Sequence, residues 1–224
     1  MSPTGGATMT DRDKYFRRTI AGIRLALDDM EAVLEQNVTP SGVPFHPWSQ
    51  RDSRWGDDLL GLATNKKYTL AAYGCLLTCF ASATTMTPGE LNKWLAERKA
   101  FVDNGEGQLN KVILDSFAPL GFRLSKDVSC LKTAAPIAEA SRCLAGNGMV
   151  IAGVSHNGVI NTVQHYVRVI SLSTDGKSVK IMDPLALPGS EVLGDVAKYA
   201  NRFGSDPGHV FLRVMFYDAV KVVA

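Results

Sequence analysis

The sequence predicts an α+β domain, with helices first and antiparallel strands after them, preceded by a separate N-terminal helix. Three observations carry this prediction. Between Gly74 and Ala145, helix-start and helix-stop residues bracket runs of helical character. After Gly148 the chain becomes rich in β-branched residues, beginning with Met149-Val150-Ile151-Ala152-Gly153-Val154. Helices followed by strands argue for α+β rather than alternating α/β. Upstream, Thr39-Pro40-Ser41-Gly42-Val43-Pro44 is dense in turn formers, which sets residues 11–37 apart from the rest.

In chain order, residues 1–10 read as a disordered leader. Residues 11–37 read as one amphipathic helix, with Asp11 and Asp13 suited to its start. Its apolar residues are Phe16, Ile20, Ile23, Leu27, Met30 and Leu34, which step by alternating fours and threes in a heptad stripe. Two readings stand: the stripe packs on the protein's own domain, or it forms a coiled coil that makes a homo-oligomer. Residues 38–42 are a linker, and 43–224 form the main domain.

Within that domain a helix is expected over Cys75–Ala83. Thr87-Pro88-Gly89-Glu90 opens the next, because Thr87 can cap, Pro88 suits the first turn and Glu90 completes a capping box. Leu91, Trp94 and Leu95 share one of its faces. A third helix is expected over Gln108–Phe117 and a fourth over Ala134–Ala145, ended by Gly146-Asn147-Gly148. Strands follow at Met149–Val154, His165–Leu172, Ser178–Met182 and Val210–Tyr217. The second should be half-buried, with Val167 and Val169 on the face of His165. Thr174-Asp175-Gly176-Lys177 is the turn between the second and third.

Bulk properties exclude several classes. The 224 residues are enough to bury a core without disulfides, and 46% hydrophobic with 21% charged residues is ordinary globular composition. The formal charge of +2 and the lack of a basic run with interleaved aromatics argue against nucleic acid as a partner. No apolar run approaches the roughly 20 residues of a membrane span. The start lacks a signal-peptide pattern, so a soluble protein is expected, cytoplasmic or phage-associated. The four cysteines, Cys75, Cys79, Cys130 and Cys143, lack metal-ligand spacing, and no metal or cofactor is implied.

The chemistry concentrates on four residues. A reactive thiol needs a base, and the base needs an orienting group. Cys75 follows Gly74 and opens a helix, where free amides favour a negative sulfur. His165 opens a strand in the second half. Asp183 stands just past the neighbouring strand, so a short turn would bring it beside His165 and let it hold the imidazole tautomer. Gln50, in Trp48-Ser49-Gln50-Arg51-Asp52, could join the backbone N–H of Cys75 as a donor to an oxyanion. Structural roles compete at each position. Cys79, Cys130 and Cys143 read as core, His156 as an exposed turn residue, and His46, between Phe45 and Pro47, as structural or exposed. His209 is the second-choice base.

At these residues a family resemblance emerges. The run from Trp48 to Gly56, then Tyr73-Gly74-Cys75 with Thr78 and Ala81, Thr87-Pro88-Gly89-Glu90-Leu91, Gln164-His165-Tyr166-Val167 and Ile181-Met182-Asp183-Pro184 are similar, in order, to motifs of bacteriocin-processing-type (double-glycine peptidase-like) domains of the papain-like cysteine peptidase superfamily. The resemblance covers about residues 43–218. It implies a two-lobed fold, a helical lobe followed by an antiparallel-sheet lobe, with a cleft between them. It also implies Cys75 as nucleophile, His165 as base, Asp183 as orienter and Gln50 as oxyanion donor. The expected function is a cysteine peptidase or amidase acting on a peptide or protein substrate. Leu76 and Leu77 depart from the small residues that usually follow the family's cysteine. They motivate the alternative of a catalytically silent binding or assembly module with the same fold, oligomerised by residues 11–37. Acyl transfer in place of hydrolysis is a third reading.

Overall fold

The chain divides after Asn37, and every residue described below belongs to the second unit, which begins at Val38. A computed structural model describes residues 43–102, 113–155, 162–187, 193–201 and 204–220, with backbone only for 113–116. The leader, heptad helix and linker expected over 1–42 lie outside the described residues. So do His156 and residues 108–112 of the expected third helix.

Thr69 opens a short helix, α1 (Leu70–Tyr73), by accepting from the Ala72 amide. Gly74 separates it from α2 (Cys75–Ala81). The Gly74 amide donates to the Leu70 carbonyl at 2.8 Å. A Cβ at Gly74 would lie 2.6 Å from that same oxygen, so only glycine lets the two helices abut. Helix α3 (Pro88–Glu97) carries the expected capping box, with Thr87 and Glu90 each bonding the other's backbone. Thr87→Ala should therefore cost about 1 kcal/mol of stability, read as a lower urea midpoint.

Six strands form one sheet: β1 (Phe122–Ser129), β2 (Met149–Val154), β3 (His165–Leu172), β4 (Val179–Met182), β5 (Leu193–Asp195) and β6 (Arg213–Ala219). The order is β1-β6-β2-β3-β4-β5, and every pairing is antiparallel. Helix α4 (Ile137–Ala145) leads into β2, a 3₁₀ turn (Val196–Tyr199) follows β5, and α5 (Pro207–Val210) precedes β6. The architecture is α+β, a mixture of helices and an antiparallel sheet.

Both faces of the sheet are covered. Strand β2 shows how: Met149 and Ile151 point into a core with Leu77, Phe80, Leu91 and Leu95 of α2 and α3. Val150, Ala152 and Val154 point into a second core with Ala140 and Leu144 of α4. The alternation of a strand thus serves two apolar layers. Leu76 and Leu77 are both buried in the first core, 6% and 1% exposed, so their bulk is taken up by packing.

Several expectations need correction. Strand β3 is not half-buried: Val167, Arg168 and Val169 are all buried, because helices cover both its faces. The third helix is, in its described part, a 3₁₀ helix at Ile113–Leu120. Helix α4 starts at Ile137, since the ring of Pro136 disfavours a helical Ala135. The last strand starts at Arg213. Val210 instead ends α5, where Asp206 caps by accepting from the Gly208 amide at 3.0 Å and Pro207 takes the first turn. Strands β1 and β5 had not been anticipated, and β1 comes before α4, so helices and strands are not fully segregated. Among the described residues no helix is long and apolar enough to cross a membrane.

Candidate active site

The turn between β3 and β4, with Gly176 at φ +69°, pairs the strands so that Arg168 stands opposite Met182. The register brings the start of β3 to the end of β4, as the sequence predicted. His165 Nε2 lies 2.8 Å from Asp183 Oδ1, and both residues are buried. Asp183 Oδ1 also accepts from the Leu185 amide at 2.9 Å. Its other oxygen, Oδ2, accepts from the Tyr199 hydroxyl at 2.7 Å and meets the Lys198 ammonium.

These partners decide the charge of Asp183. Burial alone would raise its pKa, but hydrogen bonds from His165, Lys198 and Tyr199 outweigh that and hold it well below the usual carboxylate range. An ionised carboxylate can only accept, so His165 carries its proton on Nε2. Nδ1 then bears the lone pair that a base uses. The same contact raises Tyr199: burial comes first, then donation to the Asp183 charge.

Cys75 lies by the start of β3, where His165 stands. It is the first residue of α2, which packs on β3. Backbone hydrogen bonds from Tyr166, Leu76 and Cys75 itself support its sulfur. Tyr166 directly follows His165, so the sulfur sits beside the start of β3. Cys79, one turn further along α2, meets the carbonyl of the same Tyr166 at 3.6 Å. Although Cys75 is half-exposed, its sulfur is closely surrounded by protein, and burial pushes the thiol up to about 11 despite those backbone bonds. The resting state is therefore a neutral thiol.

Gln50 bridges the two halves of the site. Its backbone amide donates to Pro184 O at 2.9 Å, next to Asp183. Its side-chain Nε2 donates to Ala71 O at 2.8 Å, four residues before Cys75. Nε2 has two hydrogens and Ala71 takes one. Oε1 is buried without a hydrogen-bond partner. Ser49 fastens the same loop, its hydroxyl donating to Ala186 O at 2.6 Å, and Trp55 Nε1 fixes Ser49 by bonding its carbonyl at 2.9 Å.

Sequence reasoning missed Lys198, Tyr199, Ser49 and Tyr166. The first two stand in the 3₁₀ turn that Asp195 caps by accepting from the Ala197 amide. Only that aspartate hinted at an ordered element there. Tyr166 is locked by its hydroxyl, which accepts from Arg213 Nη1 at 2.8 Å, while Arg213 forks onto Asp127 at 2.8 and 2.7 Å.

The other candidates fall elsewhere. His209 pairs with Asp206 on the exposed side of α5. His46 stacks on Trp48 at 5.6 Å. The four cysteines are all free thiols. Among the described residues no group of three or more His, Cys, Asp or Glu side chains could hold a metal ion. Compared with family models, curated proteins and solved structures, the chain has no match.

Proposed function

We propose that this protein is a cysteine peptidase or amidase-like hydrolase, cleaving a peptide or amide bond through an acyl-enzyme on Cys75. One observation carries the reading. A buried His165–Asp183 pair, 2.8 Å apart, adjoins Tyr166, whose backbone bonds the Cys75 sulfur. The ordered likeness of the Cys75, His165 and Asp183 motifs to papain-like peptidases supports the same roles, and with them a two-lobed arrangement around a cleft.

In this mechanism His165 Nδ1 takes the thiol proton as the sulfur attacks the carbonyl carbon. Asp183 stabilises the imidazolium that forms and keeps its Nε2–H in place. The Cys75 amide and the second hydrogen of Gln50 Nε2 receive the oxyanion. The amine leaves with the proton from His165. Water then attacks the thioester, giving its proton to His165, and the acid departs as the thiol reforms.

The test is alkylation of Cys75 by a chloroacetamide peptide, mapped by mass spectrometry across pH. Assisted attack should label the protein readily at pH 8, where a thiol of pKa about 11 has on the order of one part in a thousand as thiolate. His165→Ala should slow that labelling and leave a rate that climbs tenfold per pH unit toward pH 11. Equal labelling of both proteins at pH 8 refutes the base assignment.

A second reading, a catalytically silent binding or assembly module, draws on two specific features. The thiol is held protonated by burial, and Gln50 Nε2 spends a hydrogen on Ala71. It expects the same slow alkylation with or without His165, and no cleavage of any peptide.

A further inference from the structure

We propose that Lys198 and Tyr199 are positioning residues for the base: by taking Asp183 Oδ2 they reserve Oδ1 for His165 and set the tautomer and charge of its ring. The proposal rests on the reading of His165 as base, and goes beyond it by assigning a role to a part of the chain that no motif marked.

The geometry divides the carboxylate cleanly. On one oxygen stand His165 Nε2 and the Leu185 amide, at 2.8 and 2.9 Å. On the other stand the Tyr199 hydroxyl, at 2.7 Å, and the Lys198 ammonium. With donors on both sides the carboxylate cannot rotate without losing a bond, and a buried polar group left unpaired is costly. The Tyr199 ring also lies 5.9 Å from that of His165. The 3₁₀ turn itself is pinned at Asp195, which caps it and accepts from Ser178 Oγ at 3.0 Å.

Lys198 differs from Tyr199 in carrying charge, and its side chain is 42% exposed. It offsets the Asp183 carboxylate and so opposes protonation of His165. Among the described residues, the titratable groups around the ring are Asp183 after β4, Lys198 and Tyr199 from the 3₁₀ turn, and Cys75 and Cys79 from α2. Arg168 is buried further along β3, and Arg213 stands on the Tyr166 hydroxyl. Removing Lys198 takes away that positive charge while Tyr199 and the Leu185 amide stay on the carboxylate, so the imidazolium gains stability. For charges this close and partly screened, the shift is about one pH unit upward.

The experiment uses the full chain carrying Cys75→Ala, so that no thiol titrates beside the ring, with 15N-labelled histidine followed by NMR. Lys198→Met should raise the His165 midpoint by about one pH unit, and Lys198→Arg should restore it. Tyr199→Phe should reduce the Nε2–H tautomer above that midpoint. An unmoved midpoint in Lys198→Met, the same rise in Lys198→Arg, or an unchanged tautomer in Tyr199→Phe overturns the proposal. None of these readings needs turnover. A silent Cys75 would therefore sink the hydrolase reading and leave the positioning role standing, whereas an active Cys75 with an unmoved His165 would do the reverse.

Discussion

On the proposed mechanism, Asp183→Asn should lower hydrolysis by on the order of 10²–10⁴-fold, with most of the loss in kcat. The direction follows from who donates to whom. Tyr199 and Lys198 both present hydrogens to one side of residue 183. Asparagine keeps both of those bonds only by turning its carbonyl oxygen toward them, which points its NH2 at His165 and gives up the bond from the Leu185 amide. The imidazole then has to accept at Nε2 and carry its proton on Nδ1. That is the nitrogen the thiol needs as acceptor, so the base is blocked although nothing in the backbone has moved. Peptide hydrolysis at neutral pH, with kcat and KM separated, checks this. A variant within a factor of a few of wild type would exclude Asp183 as the orienting group.

The same residue should leave a mark on stability. Its pKa in the folded protein is depressed, so its contribution is fully present above the unfolded value of about 4 and is lost as pH falls through the depressed folded value. Urea midpoints of the wild type should therefore decline below about pH 4 more steeply than those of Asp183→Asn. Parallel declines would mean that the carboxylate is not held as described.

Phe80→Ala should destabilise the domain by about 3–5 kcal/mol. That is a large part of the 5–15 kcal/mol typical of a whole protein. Phe80 is 1% exposed, stacks on Phe117 with ring centroids 3.8 Å apart, and meets Tyr217 edge-on at 5.0 Å. The ring therefore joins α2 to the 3₁₀ helix and to β6. Its loss leaves a cavity lined by other rings, which relax little. A fall in the chemical-denaturation midpoint at constant slope measures the cost. A loss below 1 kcal/mol would show that the three rings do not form a single packed unit.

Much of the fold was legible because it is written locally. The capping box at Thr87–Glu90, the β-branched run of β2 and the turn at Gly176 are short-range signals with one favoured geometry. The pairing of β3 with β4 follows from the shortness of their connection, and it places Asp183 beside His165. Strand β5 and the 3₁₀ turn after it were not legible. They are short, and their order comes from leaning on β4 and on the second core. The burial of β3 on both faces was missed for a related reason. Alternation in a strand shows that one face is apolar, but whether the opposite face meets water or a helix depends on elements far along the chain.

The candidate site divides the same way. The positions of its candidate groups were readable: a cysteine at a helix start, a histidine at a strand start, an acid one strand over and an upstream glutamine. Their settings were not. That Cys75 is a neutral thiol, pushed up to about 11, comes from the atoms around it and from no residue next to it in sequence. That Asp183 shares its charge among His165, Tyr199 and Lys198 depends on a contact made across β5. That Ser49 and Gln50 tie down the loop after Asp183 depends on bonds spanning well over a hundred residues. The sequence by itself determined the elements that carry local signals, among them α2, α3, β2 and β3, and the side chains they offer, because capping, periodicity and turn chemistry act between near neighbours. Only the tertiary structure decided charge state, tautomer and the division of donors around one carboxylate, because burial and electrostatics act between groups that the chain alone does not bring together.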